Sequence, residues 1–236
     1  MHTTAERIAE NVADVQGRIA VAARRSGRTS DDVTLVAVTK YVGPEEVQAI
    51  VGAGCSDIGE SRPQELWHKH EALTDLPIRW HMIGHLQRNK VRRTVPAISL
   101  LHSGDNERLL ATVDQVCGEQ STNLPVLLEV NVSGDSSKHG FPPEELESFL
   151  PALFELPNIE IQGLMAMAAR VGGADRARED FSRLRELRDH LRDVGPPGCK
   201  LDELSMGMSG DYEVAIEEGA TIVRVGSALF EGVRQS

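Results

Sequence analysis

Apolar residues at Ile8, Val12, Val15, Ile19 and Ala22 recur every three or four positions between 4 and 25. That spacing predicts an amphipathic helix, and Gly27 ends it. The run Val33-Thr34-Leu35-Val36-Ala37-Val38 is short, continuous and rich in β-branched residues, as a strand buried on both faces is. Pro44-Glu45-Glu46 then opens a second helix, because proline suits the first turn and acids suit the positive end of the helix dipole. The same order repeats. Further strands are predicted at 57–59, 78–83, 99–102, 125–132, 159–166, 201–205 and 221–225, with helices at 106–117, 144–153, 175–191 and 211–218.

Counting the first, there are eight predicted strands, each followed by a helix-length segment. Such alternation implies a parallel sheet with helical crossovers. Eight units in 236 residues make a single α/β domain of the (β/α)8 TIM-barrel type, near the minimum length for one. An open doubly wound sheet is the alternative; the barrel is favoured. No linker, low-complexity tract or charge block divides the chain, so 1–236 reads as one domain.

Composition narrows the partners. The chain carries 36 acidic and 25 basic residues, a formal charge of −11, which argues against a nucleic-acid partner. Few aromatics (Trp 2, Tyr 2, Phe 5) argue against base-stacking platforms. Neither excludes a small anion held by a few local donors. Cys55, Cys117 and Cys199 lie far apart with no C-x-x-C pair, which fits a reducing compartment. The opening MHTTAERIAENVADVQ has no apolar core of a signal peptide, and no apolar run reaches membrane-span length. A cytoplasmic protein with no membrane partner is expected.

In a barrel, chemistry belongs at the C-terminal ends of the strands. The first strand ends in Val38-Thr39-Lys40-Tyr41. A lysine leaving a buried apolar run is held near low-dielectric surroundings that disfavour its charged form, and a neutral amine is what a Schiff base requires. A strand-end lysine reaching for water is the plainer alternative. The seventh strand runs into Ser205-Met206-Gly207-Met208-Ser209 and the eighth into Arg224-Val225-Gly226-Ser227. Barrels often bind phosphate at these two loops, and Ser205, Gly226 and Ser227 supply suitable donors, with Arg224 adding charge. Ordinary turn composition is the alternative here. Together with Lys40, these loops suggest a phosphate cofactor bearing an aldehyde, pyridoxal phosphate being the obvious candidate.

Other motifs carry less. His81 and His85 have the spacing of a zinc helix, but Met82 replaces the expected acid and Gly84 weakens a helix there, so no metal site is expected. His81, at a strand end, reads as a hydrogen-bonding residue on the cofactor side or a structural histidine. Gly52-Ala53-Gly54 precedes a strand and reads as a helix C-cap. Arg88, Lys90, Arg92 and Arg93 read as a solvated basic face. Glu129, Asn131 and Lys138 follow the fifth strand and are candidates to line the mouth.

The segments LVAVTKYV (35–42), IGESRPQE (58–65), WHMIGHLQRNK (80–90), EVNVSGDSSKHGF (129–141), GLMAM (163–167) and LSMGMSGDYEVAIEEGATIVRVGSALF (204–230) resemble the pyridoxal phosphate homeostasis proteins. These are PLP-binding proteins of the alanine racemase N-terminal-domain type, and the match runs in order along almost the whole chain. The resemblance implies a (β/α)8 barrel with Lys40 as the Schiff-base lysine. It also implies that Ser205, Gly226 and Ser227 hold the phosphate. Arg224 would lie against the phosphate or the ring nitrogen, with Met165 and Met206 walling the ring. About ten residues follow the eighth strand, so no second catalytic domain is expected. The implied function is a monomeric PLP carrier or regulator that maintains cofactor and amino-acid balance, possible recipients being apo-enzymes that use PLP. A racemase-type PLP enzyme, with Tyr41 or His81 as a second proton-transfer group, is the alternative; a phosphosugar barrel using Lys40 is a third.

Overall fold

The computed structural model describes residues 3–134, 139–169 and 172–233. Its strands are β1 (Thr34–Val38), β2 (Asp57–Glu60), β3 (Arg79–Met82), β4 (Leu100–Gly104), β5 (Leu124–Glu129), β6 (Ile159–Met165), β7 (Glu203–Ser205) and β8 (Ile222–Val225). They pair in parallel in chain order, and β8 returns to β1, closing a barrel. Every predicted strand is present, with shifted ends. The closed barrel replaces the open-sheet alternative.

Side chains alternate between lumen and outer layer, as strand geometry requires. Val36, Leu100, Leu127, Met165 and Ile222, from five different strands, form a small apolar cluster in the lumen. Their neighbours Ala37, Leu101, Leu128, Leu164 and Val223 belong to the larger core between barrel and helices. The strands therefore read as nearly continuous apolar runs because both faces are covered.

The helices are α1 (Thr4–Arg25), α2 (Pro44–Gly52), α3 (Pro63–Ala72), α4 (Val91–Thr94), α5 (Glu107–Glu119), α6 (Leu146–Phe154), α7 (Gly173–Val194) and α8 (Tyr212–Glu217). Helix α1 begins with a capping box between Thr3 and Glu6 and buries the predicted stripe Ile8, Val12, Val15, Ile19 and Ala22. It packs against α2, α8 and the 3-10 turn Ser227–Phe230. Asn11 fixes that turn, its side-chain amide donating to the carbonyls of Leu229 at 3.1 Å and Glu231 at 3.0 Å. The N-terminal helix thus takes the ring position that follows β8, where the described chain makes only the short turn.

Between β3 and β4 the expected crossover helix is reduced to the single turn α4, flanked by 3-10 turns at Arg88–Lys90 and Val95–Ala97. Pro96 lies in the second of these, and a proline lacks the N–H that a longer helix would use. No helix among the described residues is long and apolar enough to cross a membrane.

Candidate functional site

Strands β1 and β8 are neighbours in register, Val36 beside Arg224 and Ala37 beside Val225. Lys40 and the Gly226–Ser227 turn therefore leave adjacent strand ends at one side of the mouth. Lys40 is exposed, its Nζ 5.1 Å from the centre of the Tyr41 ring. The low-dielectric setting expected from its strand-end position is not what the fold provides. Among the described residues, the buried lysine is Lys69 on α3. Its ammonium donates to the Thr39 carbonyl at 2.7 Å and pairs with buried Glu60, which also accepts from the Thr39 hydroxyl at 2.8 Å. This pair anchors the peptide from which Lys40 projects.

The loops after β7 and β8 interlock. Ser209 Oγ accepts from the backbone N–H of Gly226 at 3.0 Å and of Ala228 at 3.5 Å. Asp211 accepts from the Met208 N–H at 2.6 Å, closing the turn in which Ser209 lies. A Cβ at Gly226 would stand 3.3 Å from the Val38 carbonyl oxygen, so this turn sits directly against the end of β1. Sequence reading selected Ser205 for this loop and passed over Ser209. The signal was the spacing, since Ser209 falls in the turn beyond the strand whereas Ser205 is its last residue.

Ser205 instead belongs to a buried polar chain in the lumen. The Arg224 guanidinium donates to Ser205 Oγ and, at 2.9 Å, to the Ala166 carbonyl. Ser205 Oγ is 2.8 Å from His102 Nδ1, His102 Nε2 is 2.9 Å from His81 Nδ1, and His81 Nε2 is 3.0 Å from Asp57 Oδ1. Asp57 receives a two-pronged pair from Arg79 at the lower rim. With both imidazoles neutral, one choice of tautomers satisfies every link: each donor points from Arg224 towards Asp57.

Burial and the nearby positive Arg224 guanidinium shape the titration of this chain. Desolvation pushes the His102 pKa well below the ordinary histidine value, with His81 and Arg224 acting in the same direction. Desolvation also lowers Arg224 to about 10, against the opposing pull of Glu129 and Asp211. Burial alone would raise Asp57, but hydrogen bonds from His81 and Arg79 outweigh it and hold the carboxyl low.

The remaining candidates separate. Met165 packs in the lumen cluster and Met206 in the outer core, both essentially inaccessible. His81 lies inside the barrel rather than at the mouth and reaches the strand ends only through His102, Ser205 and Arg224. Glu129 ends β5 within electrostatic reach of Arg224, and Asn131 accepts from Ser133 at 3.0 Å; Lys138 lies outside the described residues. His85 diverges from His81 and bonds Asp105. Arg92 and Arg93 pair with Glu119 and Glu71 on neighbouring helices, the solvated face expected. Tyr41, Met167 and Met208 are exposed on the loops after β1, β6 and β7, giving this side of the mouth an apolar rim.

Comparison with known proteins places the chain and its fold. The alanine racemase N-terminal domain model covers residues 8–233. Pyridoxal phosphate homeostasis proteins of Aquifex aeolicus and Pseudomonas aeruginosa are 41% and 42% identical, spanning 94% of this chain and 96% and 94% of theirs. The structure of PipY from Synechococcus elongatus with PLP bound superposes with a TM-score of 0.85 at 34% identity, covering 94% of this chain and 99% of that one. An alanine racemase from Clostridium difficile shares only the fold, at 13% identity and a TM-score of 0.74 over 55% of its length. With a barrel of this topology matched along nearly its whole length, the chain belongs to the pyridoxal phosphate homeostasis protein family.

Proposed function

We propose that this protein binds pyridoxal 5'-phosphate at the C-terminal mouth of the barrel, as a Schiff base on Lys40. In this reading it maintains intracellular cofactor and amino-acid balance, with apo-enzymes as recipients and without classical turnover. The observation that carries the reading is the meeting at adjacent strand ends of an exposed lysine with a turn rich in backbone donors. The bound cofactor would supply an aldehyde, which calls for an amine, and a phosphate, which calls for N–H and hydroxyl donors; both sets are present.

Lys40 supplies the amine, and the Lys69–Glu60 pair holds its backbone. Ser227 presents phosphate donors, and the Gly226 N–H joins them by exchanging Ser209 Oγ for a phosphate oxygen, the bare Gly226 α-carbon letting the turn lie against Val38. Ser209, already bonded to that turn, is the serine we assign to the phosphate cup. Ser205 acts through Arg224 instead, since its hydroxyl is committed to His102 and the guanidinium. Arg224 is assigned to the ring side, because its donors point inward below Gly226. Met165 and Met206 support the strands from their cores and are not assigned to the ring.

Borohydride reduction of the cofactor-loaded protein followed by peptide mapping tests this reading. A pyridoxyl adduct is expected on Lys40, and Lys40→Ala should keep the fold while losing the imine absorption. An adduct on another lysine overturns the anchor. A racemase needs a second acid–base group at the mouth; His81, committed to Asp57 and His102, does not offer one, which leaves Tyr41, exposed beside Lys40, as the group that reading requires. Rapid exchange of the amino-acid α-proton with solvent deuterium would overturn the carrier reading.

A further inference from the structure

We propose that His85, Asp105 and His139 form a binding site for a divalent first-row transition metal ion of the zinc class, on the β3–β5 side of the mouth. One ligand atom from each residue can be chosen so that all three lie within 4.8 Å of one another. Asp105 Oδ2 is 2.7 Å from His85 Nδ1 and 3.8 Å from His139 Nδ1. Ligands placed tetrahedrally around one zinc ion stand about 3.3 Å apart, and the two observed spacings straddle that value.

Each ligand is fixed by its own backbone. Asp105 is buried, and its other oxygen accepts from the Asn106 amide at 2.6 Å, leaving Oδ2 for the imidazoles. His85 follows Gly84, where a Cβ would stand 2.3 Å from the Ser61 carbonyl oxygen, and the Gly84 carbonyl accepts from Ser103 at 2.7 Å. His139 precedes a left-handed Gly140, and Phe141 pairs with the end of β5 through bonds to the Glu129 carbonyl (2.7 Å) and from the Asn131 N–H (3.0 Å). Contacts that hold the ligand-bearing backbone in this way set the ligand positions before metal arrives.

The arrangement exceeds what an ion pair needs. One histidine satisfies Asp105, yet a second imidazole is stacked on the first, centroids 4.3 Å apart and planes 12° apart, with its Nδ1 3.8 Å from the same oxygen; because stacked rings hold their lone pairs in parallel planes, the exposed His139 ring has to turn for both nitrogens to reach one ion. Two imidazole nitrogens and one carboxylate oxygen suit zinc, cobalt or nickel; calcium and magnesium prefer all-oxygen shells. Both imidazoles are exposed, so three protein ligands leave a position open to water or a small ligand. The His81–His85 spacing therefore has a different meaning from a zinc helix: His85 is a ligand, and its partners come from the loops after β4 and β5. The proposal does not depend on the PLP reading.

Chelator-treated full-length protein titrated with Co2+ tests the site, with Zn2+ competing against a chromophoric chelator as the second measurement. A single equivalent of Co2+ with visible absorption is expected, displaced by Zn2+. His139→Ala and His85→Ala should each weaken binding at least about tenfold. The metal-free melting curve of His139→Ala should be unchanged, because that side chain is exposed. Absence of the cobalt band, or equal binding by His139→Ala, overturns the proposal, the latter placing the metal on other histidines.

Discussion

Arg224 and His102 lie in the lumen with one hydroxyl, Ser205, between them. The loss of water foremost, and then the neighbouring His81 and Arg224, disfavour protonation of His102, so its folded pKa falls well below that of the unfolded chain. Below the unfolded value of about 6.5, the unfolded chain binds a proton that the native state refuses, so stability falls as pH drops from there. Urea denaturation at stepped pH should show this slope, and His102→Gln should flatten it; an unchanged slope in the variant would assign the effect elsewhere. Lys69 is a buried cation held by a partner. Lys69→Met strands Glu60 as a buried charge and should cost about 3–5 kcal/mol, whereas adding Glu60→Leu should recover much of the loss. Both are read from denaturation midpoints, and equal stability of the single and double variants would contradict the buried-pair account.

At the scale of elements, α1 has the work of a crossover helix although it precedes the first strand. Its apolar stripe fills the gap between α2 and α8, so Ile8→Ala should destabilise by about 2–5 kcal/mol, a core cost. Thr3→Ala removes only the capping bond and should cost about 1 kcal/mol. Thermal melts of the two variants should differ accordingly; similar small losses would mean that α1 merely rests on the barrel. This helix was legible in the sequence, from about 4 to 25, because a stripe at helical spacing ended by Gly27 admits one reading; its Thr3 cap was not read. The β3–β4 crossover was not, since Lys90 to Ala97 carries apolar residues at Val91 and Val95 as a helix would, and the proline decided against it. The strand ends moved where tertiary pairing overrides propensity: β5 ends at Glu129, and Val130, which still donates to Met165 of β6 at 2.8 Å, bridges to Phe141 on its other side.

Across the whole molecule, the lumen is divided between an apolar layer and a polar chain that runs from Arg79 at the lower rim to Arg224 beneath the proposed cofactor site. The placement of Lys40, Gly226 and Ser227 at one rim was legible because strand ends in a barrel point the same way. Asp57 and His102 were not, since each stands in a short strand with a second polar residue, Glu60 and Ser103, and residue type alone does not say which of them faces the lumen. Their inward parity, His102 two residues beyond lumen-facing Leu100, was the available signal. The chain makes Asp57 and Ser205 members of one network although two histidines separate them. In such a network, polarity set at one end biases every donor along it, so distant changes need not add. Asp57→Asn disturbs the acceptor that orients His81, and Ser205→Ala removes the link to Arg224. A double-mutant cycle on unfolding free energy should give a coupling of about 0.5–1 kcal/mol between these sites. If the two changes add, the links are independent hydrogen bonds, and the lower rim has no influence on how Arg224 is held.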